Sequence, residues 1–182
     1  MTDPSPVPAP LVLDATCLSH FARADRLDVL GDLLVGRDCW TTETVLAELN
    51  RGIADYPLLG NVPGQEWLLV AGLDSVAEIR LYDTWLRRVG SAGRDQGEAS
   101  VFAAAERHEA TAITDDRRAA KVGRFYGLDV HGTVWLLAGA CKEGKLTPAT
   151  AGSLIDALHA TGHRLPCTGA GFPSYAHRHG LL

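Results

Sequence analysis

Short apolar runs alternate with longer amphipathic stretches along most of the chain. "LVLDA" (11–15), "DCWTT" (38–42), "EWLLVAGL" (66–73), "TAIT" (111–114) and "LDVHG" (128–132) are brief runs that read as buried strands. Between them, the apolar positions return at helical spacing. "TCLSHFARA" (16–24), "RLDVLGDLLVG" (26–36) and "ETVLAELNRGIADY" (43–56) read as helices, with Thr42 placed to cap the third. Further on, helices are predicted over 75–90, 98–110, 115–127, 133–144 and 148–162, the last opening on Pro148. Two segments break the pattern as loops. Residues 56–64 carry two prolines and two glycines, and "GSAGRDQG" (90–97) carries three glycines. Strands alternating with helices predict an α/β fold, a parallel sheet of four to five strands covered on both faces.

At 182 residues the chain suits one well-buried domain. The prolines at 4, 6, 8 and 10 predict an extended tail over 1–10. The domain proper is expected over 11–146, followed by a C-terminal helix and an irregular extension over 147–182. A net charge of −5 argues against a generally basic nucleic-acid-binding surface but leaves room for a basic rim around an acidic centre. The start "MTDPSPVPAP" does not resemble a signal peptide, and "GTVWLLAGACKEG" is too short to span a membrane. A cytoplasmic protein with its four scattered cysteines reduced is the expectation.

The candidate chemistry is acidic. In open parallel sheets, ligands gather at the carboxyl ends of the strands. Asp14 ends the first predicted strand, and Asp115 and Asp116 end the "TAIT" strand. Asp95 and Glu98 open a helix that can face the same edge. Carboxylates gathered this way raise each other's pKa unless a cation compensates, and hard divalent ions such as Mg²⁺ or Mn²⁺ take such oxygen ligands. Each acid also has a structural reading. Asp95 with Glu98 has capping-box spacing, Asp115 or Asp116 could cap the helix that follows, and Glu48 could pair with Arg51 on a solvated face. Asp14 resists such a reading, because an acid directly after "LVL" is buried without an evident partner.

The order "LVLDATCL", "TTETVLAEL", "DQGEASVFAAA", "ITDDRRAAKVGRFYGLDVHGT" and "VWLLAGACKEGKL" resembles PIN-domain proteins. It is closest to the bacterial branch that carries D-x-G-E-A, then D-D-R and G-T, and is similar to VapC-type toxins. The resemblance covers Leu11 to Leu146 and continues loosely to Leu165. It implies a three-layer α/β/α fold and a metal-dependent ribonuclease acting on single-stranded or structured RNA. It also implies, as partners, a protein antitoxin and a second copy of the chain. Carried over by position, Asp14, Glu48, Glu98 and Asp115 stand where the catalytic acids fall, with Asp116 as an additional metal-binding acid. Thr16 and Thr114 match orienting hydroxyls, and Asp95 matches the first acid of D-x-G-E-A. The alternative is a catalytically inactive module of the same fold that binds RNA or a partner protein.

Arg117, Lys121 and Arg124 fall on one face of their helix and could hold phosphates, or form a solvated face. Arg87 and Arg88 are weaker candidates for that role. His163, Cys167, His177 and His179 match no standard zinc spacing and read as incidental residues of a loose tail. Trp40, Trp67, Trp85 and Trp135 are expected in the core.

Overall fold

The computed structural model describes residues 8–90 and 95–182. Five parallel strands form one sheet: β1 (Leu11–Leu13), β2 (Cys39–Thr42), β3 (Leu68–Ala71), β4 (Thr111–Ile113) and β5 (Val130–His131). Their order across the sheet is β3-β2-β1-β4-β5. The chain therefore winds outward from β1 to one edge, then returns to lay β4 against the other side of β1. That reversal leaves a crevice beyond the carboxyl ends of β1 and β4, the position at which such sheets hold ligands. Register is set by Leu11 beside Thr111 and Leu13 beside Ile113 on one side, and by Leu11 beside Cys39 on the other.

Helices cover both faces of the sheet, giving the three-layer α/β/α arrangement. In chain order they are α1 (Ala15–Arg23), α2 (Leu27–Leu34), α3 (Glu43–Arg51), α4 (Val76–Val89), α5 (Gln96–Arg107), α6 (Arg117–Phe125), α7 (Thr133–Lys142), α8 (Pro148–Ala160) and α9 (Phe172–Arg178). The caps show why several begin where they do. The Thr42 hydroxyl accepts the Val45 amide at the start of α3, and Thr147 accepts the Thr150 amide ahead of Pro148. Ser75 and Glu78 form a reciprocal capping box on α4, and Gly90, at φ 72°, ends that helix in the left-handed conformation. The predicted 56–64 loop contains a 3₁₀ turn at Pro57–Asn61. Of the 90–97 loop, residues 91–94 lie outside the described residues, as do 1–7 of the proline tail.

All three residues of β1 are fully buried, as a central strand with helices on both faces requires. The core also takes Phe21, Phe102, Trp85 and Leu137, each inaccessible to solvent. Of the four tryptophans only Trp85 is fully buried, its indole N–H donating to Glu106 at 2.7 Å. Trp40, Trp67 and Trp135 are half-buried and pack on the core's margin, so the expectation of four core tryptophans is corrected. Their polar edges and large area suit that margin.

Residues 163–182 are not a loose tail. Phe172 and Ala176 of α9 are fully buried, and His163 is 4% exposed. The chain crosses α8 at two glycines: a β-carbon at Gly152 would stand 2.7 Å from the Gly169 carbonyl oxygen. Asp156 accepts the Gly169 amide at 2.7 Å, and the two ring nitrogens of His159 reach the carbonyls of His163 and Cys167, each at 2.9 Å. These bonds fasten a segment that has no hydrophobic period of its own.

If the C-terminal segment is an integral part of the fold, Phe172→Ala should cost about 3–5 kcal/mol of unfolding free energy. Phe125→Ala, at a ring 80% exposed, should stay within about 0.5 kcal/mol of wild type. Urea denaturation of both variants checks the contrast, and equal small losses would mean that the segment is only loosely docked.

Candidate functional site

Asp14 follows β1 directly and is 2% exposed. Its amide donates to the Ile113 carbonyl at the end of β4, which pins the residue between the two central strands. One carboxylate oxygen accepts the Thr114 hydroxyl at 3.0 Å. The same Thr114 oxygen accepts the Asp116 amide at 3.2 Å, so the turns after β1 and β4 are tied through one hydroxyl. Burial lifts the Asp14 pKa to about 6 from an ordinary 3.8, and the Glu48 charge adds to the lift. The hydroxyls of Thr114 and Thr16 and the Ala15 backbone act in the opposite direction.

Glu48 and Glu98 approach the same point from two helices. Glu48 sits on the outer side of α3, and its carboxylate turns inward over the first turn of α5. A β-carbon at Gly97 would stand 2.8 Å from Glu48 Oε2 and 3.8 Å from Asp14 Oδ1. Any larger residue at 97 would therefore displace the Glu48 carboxylate from its place above α5. The helix starts are locked together by a short relay. The Ser100 hydroxyl donates to the Gly97 carbonyl at 2.7 Å and lies 2.6 Å from the Thr42 hydroxyl that caps α3. Glu98 has its pKa raised to about 7 by burial first, then by Asp14, Asp95 and Glu48. Glu48 is raised by burial, with Arg51 partly offsetting it. Asp95 stands at the N-cap of α5, within electrostatic reach of Glu98.

The two aspartates after β4 part company. Asp115 faces the start of α7, where Oδ1 accepts the Thr133 amide at 2.9 Å and Oδ2 accepts its hydroxyl at 2.6 Å. His163 Nε2 lies 3.0 Å from Asp115 Oδ2, though off the line of a well-formed hydrogen bond. The His163 ring stacks on His20 at 4.0 Å. Burial pushes the Asp115 carboxyl up, but the contacts from His163 and Thr133 outweigh it and hold the group below its ordinary range. A β-carbon at Gly132 would collide with Asp115 Oδ1, so this glycine makes room for the carboxylate at the helix start. Asp116 is exposed and uses Oδ1 to cap α6, accepting the Ala119 amide at 2.7 Å. The capping use considered for this pair thus belongs to Asp116.

The structure therefore brings Asp14, Glu48 and Glu98 together, with Thr114, Thr16 and Asp95 around them, and turns Asp115 toward α7. Arg117 and Arg124 line a cavity of about 410 Å³ beside Thr114, Asp115 and Asp116, whereas Lys121 lies outside it. Arg88 packs over the rings of Trp85 and Tyr126, and Arg87 pairs with Asp83, which gives both a structural use on α4. Sequence reasoning read His163 as incidental, whereas it lies against Asp115, and it did not single out Thr133. The "HGT" that carries Thr133 was visible as a motif, but its bond to a residue 18 positions earlier was not.

Among the described residues, no three His, Cys, Asp or Glu side chains stand in a ready-made metal cage. The donor chemistry nevertheless fits a hard divalent ion. All three converging side chains are carboxylates, and two of them are held near neutrality by burial and mutual repulsion. Asp14, Glu48 and Glu98 are the residues that would hold it.

Because the folded pKa values of Asp14 and Glu98 lie above their unfolded ones, the native state retains protons that the unfolded chain releases. These two groups contribute a fall in stability as pH rises from about 4 to about 7 without metal, opposed by His20, lowered to about 4 by burial, and by His131, also lowered. Asp115, held low, adds the opposite limb, losing stability as pH drops below its ordinary range. Asp14→Asn should remove much of the fall and exceed wild type above about pH 6 by on the order of 2 kcal/mol. Urea midpoints in EDTA across this range test it. An Asp14→Asn variant that gains nothing on wild type between about pH 5 and about pH 7 would contradict the raised Asp14 value.

No curated protein matches the chain. The model of the PIN-domain family matches residues 10–168, spanning β1 through α8 and the His163 turn. PIN domains are generally nucleases, and the five-stranded parallel sheet with its acids at the β1/β4 crevice agrees with that fold. The chain belongs to the PIN-domain family.

Proposed function

We propose that the protein is an endoribonuclease that hydrolyses phosphodiester bonds of single-stranded or structured RNA with the help of Mg²⁺ or Mn²⁺. The observation that carries this reading is the convergence of Asp14, Glu48 and Glu98 at the sheet's switch point, with Asp14 2% exposed and, among the described residues, no cationic side chain paired to it. Structural acids at such a depth are normally neutralised by an arginine or lysine. Here a divalent ion would supply the missing positive charge.

When bound, the ion would furnish a water of lowered pKa and stabilise charge developing on the phosphodiester. The chain's own residues do the rest. Asp14, Glu48 and Glu98 hold the ion, and Thr114 fixes the orientation of the Asp14 carboxylate. Asp116 caps α6, its amide bonded to Thr114, while Asp115, bonded to Thr133, sets the spacing between the β4 turn and α7. Thr16 and Asp95 support the cluster from α1 and α5. Arg117 and Arg124 meet the phosphates that flank the scissile bond. By family analogy the enzyme acts in the cytoplasm as the toxin of a toxin–antitoxin pair, with a small protein antitoxin and a second copy as partners. No helix among the described residues is long and apolar enough to cross a membrane.

A second reading has one observation in its favour. The lack of a ready-made cage among the described residues suits a module that binds RNA or a partner without cutting.

Cleavage of a mixed single-stranded RNA pool with Mg²⁺, Mn²⁺ or EDTA separates the two. Wild type should cut only with metal. Asp14→Asn and Glu98→Gln should lose at least about 100-fold, and Thr114→Val, which removes an orienting hydroxyl, roughly 10- to 100-fold. Cutting that survives Asp14→Asn would place catalysis elsewhere or in a contaminant. No cutting under any metal would favour the binding module.

A further inference from the structure

The cavity beside the β4 turn has a second wall that the acids do not explain. Arg117 and Arg124 of α6 face Trp135 of α7 across it, and Arg164, Tyr175 and His179 come from the C-terminal segment. Among the described residues none of the three arginines is in an ion pair, although Arg37, Arg87, Arg88 and Arg107 elsewhere all are. Arg124 donates through Nε and Nη2 to the Val130 carbonyl, which holds its guanidinium at the rim. Three guanidinium groups without carboxylate partners, in a protein of net charge −5, mark a local preference for an anion.

Aromatic rings stand among these charges. Trp135 is stacked on His131 at 4.2 Å with 7° between the planes, and Tyr175 lies against His179 at 4.2 Å. Each ring is thereby fixed before anything binds, which lowers the cost of ordering a platform. Stacking rings interleaved with phosphate-binding arginines are the combination that holds an unpaired nucleotide. A volume of about 410 Å³ falls within the range of small-ligand pockets, about 300–1,000 Å³.

Resting on the nuclease reading above, we propose that this groove binds the stretch of single-stranded RNA next to the scissile bond. Arg117, Arg124 and Arg164 hold its phosphates, and Trp135 and Tyr175 offer surfaces to its bases. Thr114 and Asp116 line the groove, and Thr114 is hydrogen-bonded to Asp14, so a strand lying in it passes one hydrogen-bonded residue away from that acid. The fastened C-terminal segment, which carries Arg164, Tyr175 and His179, is then a part of the substrate site. The aromatic side of the site comes from α7 and α9.

The test is fluorescence anisotropy of a fluorescein-labelled, mixed-sequence single-stranded RNA in EDTA, which separates binding from cleavage. Arg164→Ala and His179→Ala are the groove variants, both at exposed positions that burden the fold little. Lys121→Ala and Arg178→Ala remove a charge from α6 and α9 outside the groove and serve as controls. Each groove variant should weaken binding roughly tenfold, and Arg164→Ala should also reduce the slope of log K against log salt by about 0.7. The controls should bind as wild type. The groove is overturned if its variants match the controls in affinity and salt slope, or if wild type cleaves with metal yet shows no binding without it. A wild type that binds through the groove but cleaves under no metal keeps the groove and removes the nuclease reading instead.

Discussion

A carboxylate buried at the end of the central strand is the constraint around which the rest of this site is arranged. Asp14 is placed by β1, whose three residues are fully buried, and it has no freedom to reach solvent. An ionised carboxylate at such a depth is unfavourable by several kcal/mol unless it is hydrogen-bonded or paired. Among the described residues the fold supplies hydroxyls and amides rather than a cationic side chain, which leaves the Asp14 pKa at about 6. It then adds two glutamates from opposite helices, which worsens the repulsion. A sheet that gathers like charges at its switch point gives up stability there. Small residues make this possible: Gly97 leaves space for Glu48, and Gly132 for Asp115.

The two halves of the site follow different logic. On the α3/α5 side carboxylates gather, with Arg51 near Glu48, and the Thr42–Ser100–Gly97 relay holds two helix starts at a fixed separation. On the α6/α7 side the acids are already satisfied, Asp115 by Thr133 and Asp116 by the α6 amide, and the free charges are positive. Thr114 joins them, donating to Asp14 and accepting from the Asp116 amide. An anionic polymer laid along the basic half therefore arrives at the acidic half only where a cation can bridge the two.

Much of the frame was legible from the pattern of apolar positions, because strands buried on both faces appear as short uninterrupted runs and the helices between them keep a clear period. The acids at strand ends were legible for the same reason, since a strand's end fixes its last side chain to one edge of the sheet. The resemblance favours Asp115 as the ligand of the pair, and that Asp115 turns to Thr133 instead was not legible. That depends on the extended backbone at Asp116 and on Thr133, brought close by β5. The C-terminal segment was misjudged as loose, because it is fastened by His159, Asp156 and a glycine crossing rather than by periodic apolar residues. Its arginine and rings meet α6 and α7 only in three dimensions, and Lys121, which shares a helical face with Arg117 and Arg124 by spacing, falls outside the cavity.

The central claim is that the buried acids are held protonated until a divalent cation replaces the proton, and calorimetric titration with Mn²⁺ in buffers of different ionisation enthalpy tests it most directly. At about pH 6, binding to wild type should release about one to two protons, from Asp14 and Glu98, falling toward none above about pH 8. Asp14→Asn should bind more weakly and release fewer. Binding without proton release at about pH 6, or with the same heat and stoichiometry in Asp14→Asn, would contradict the account.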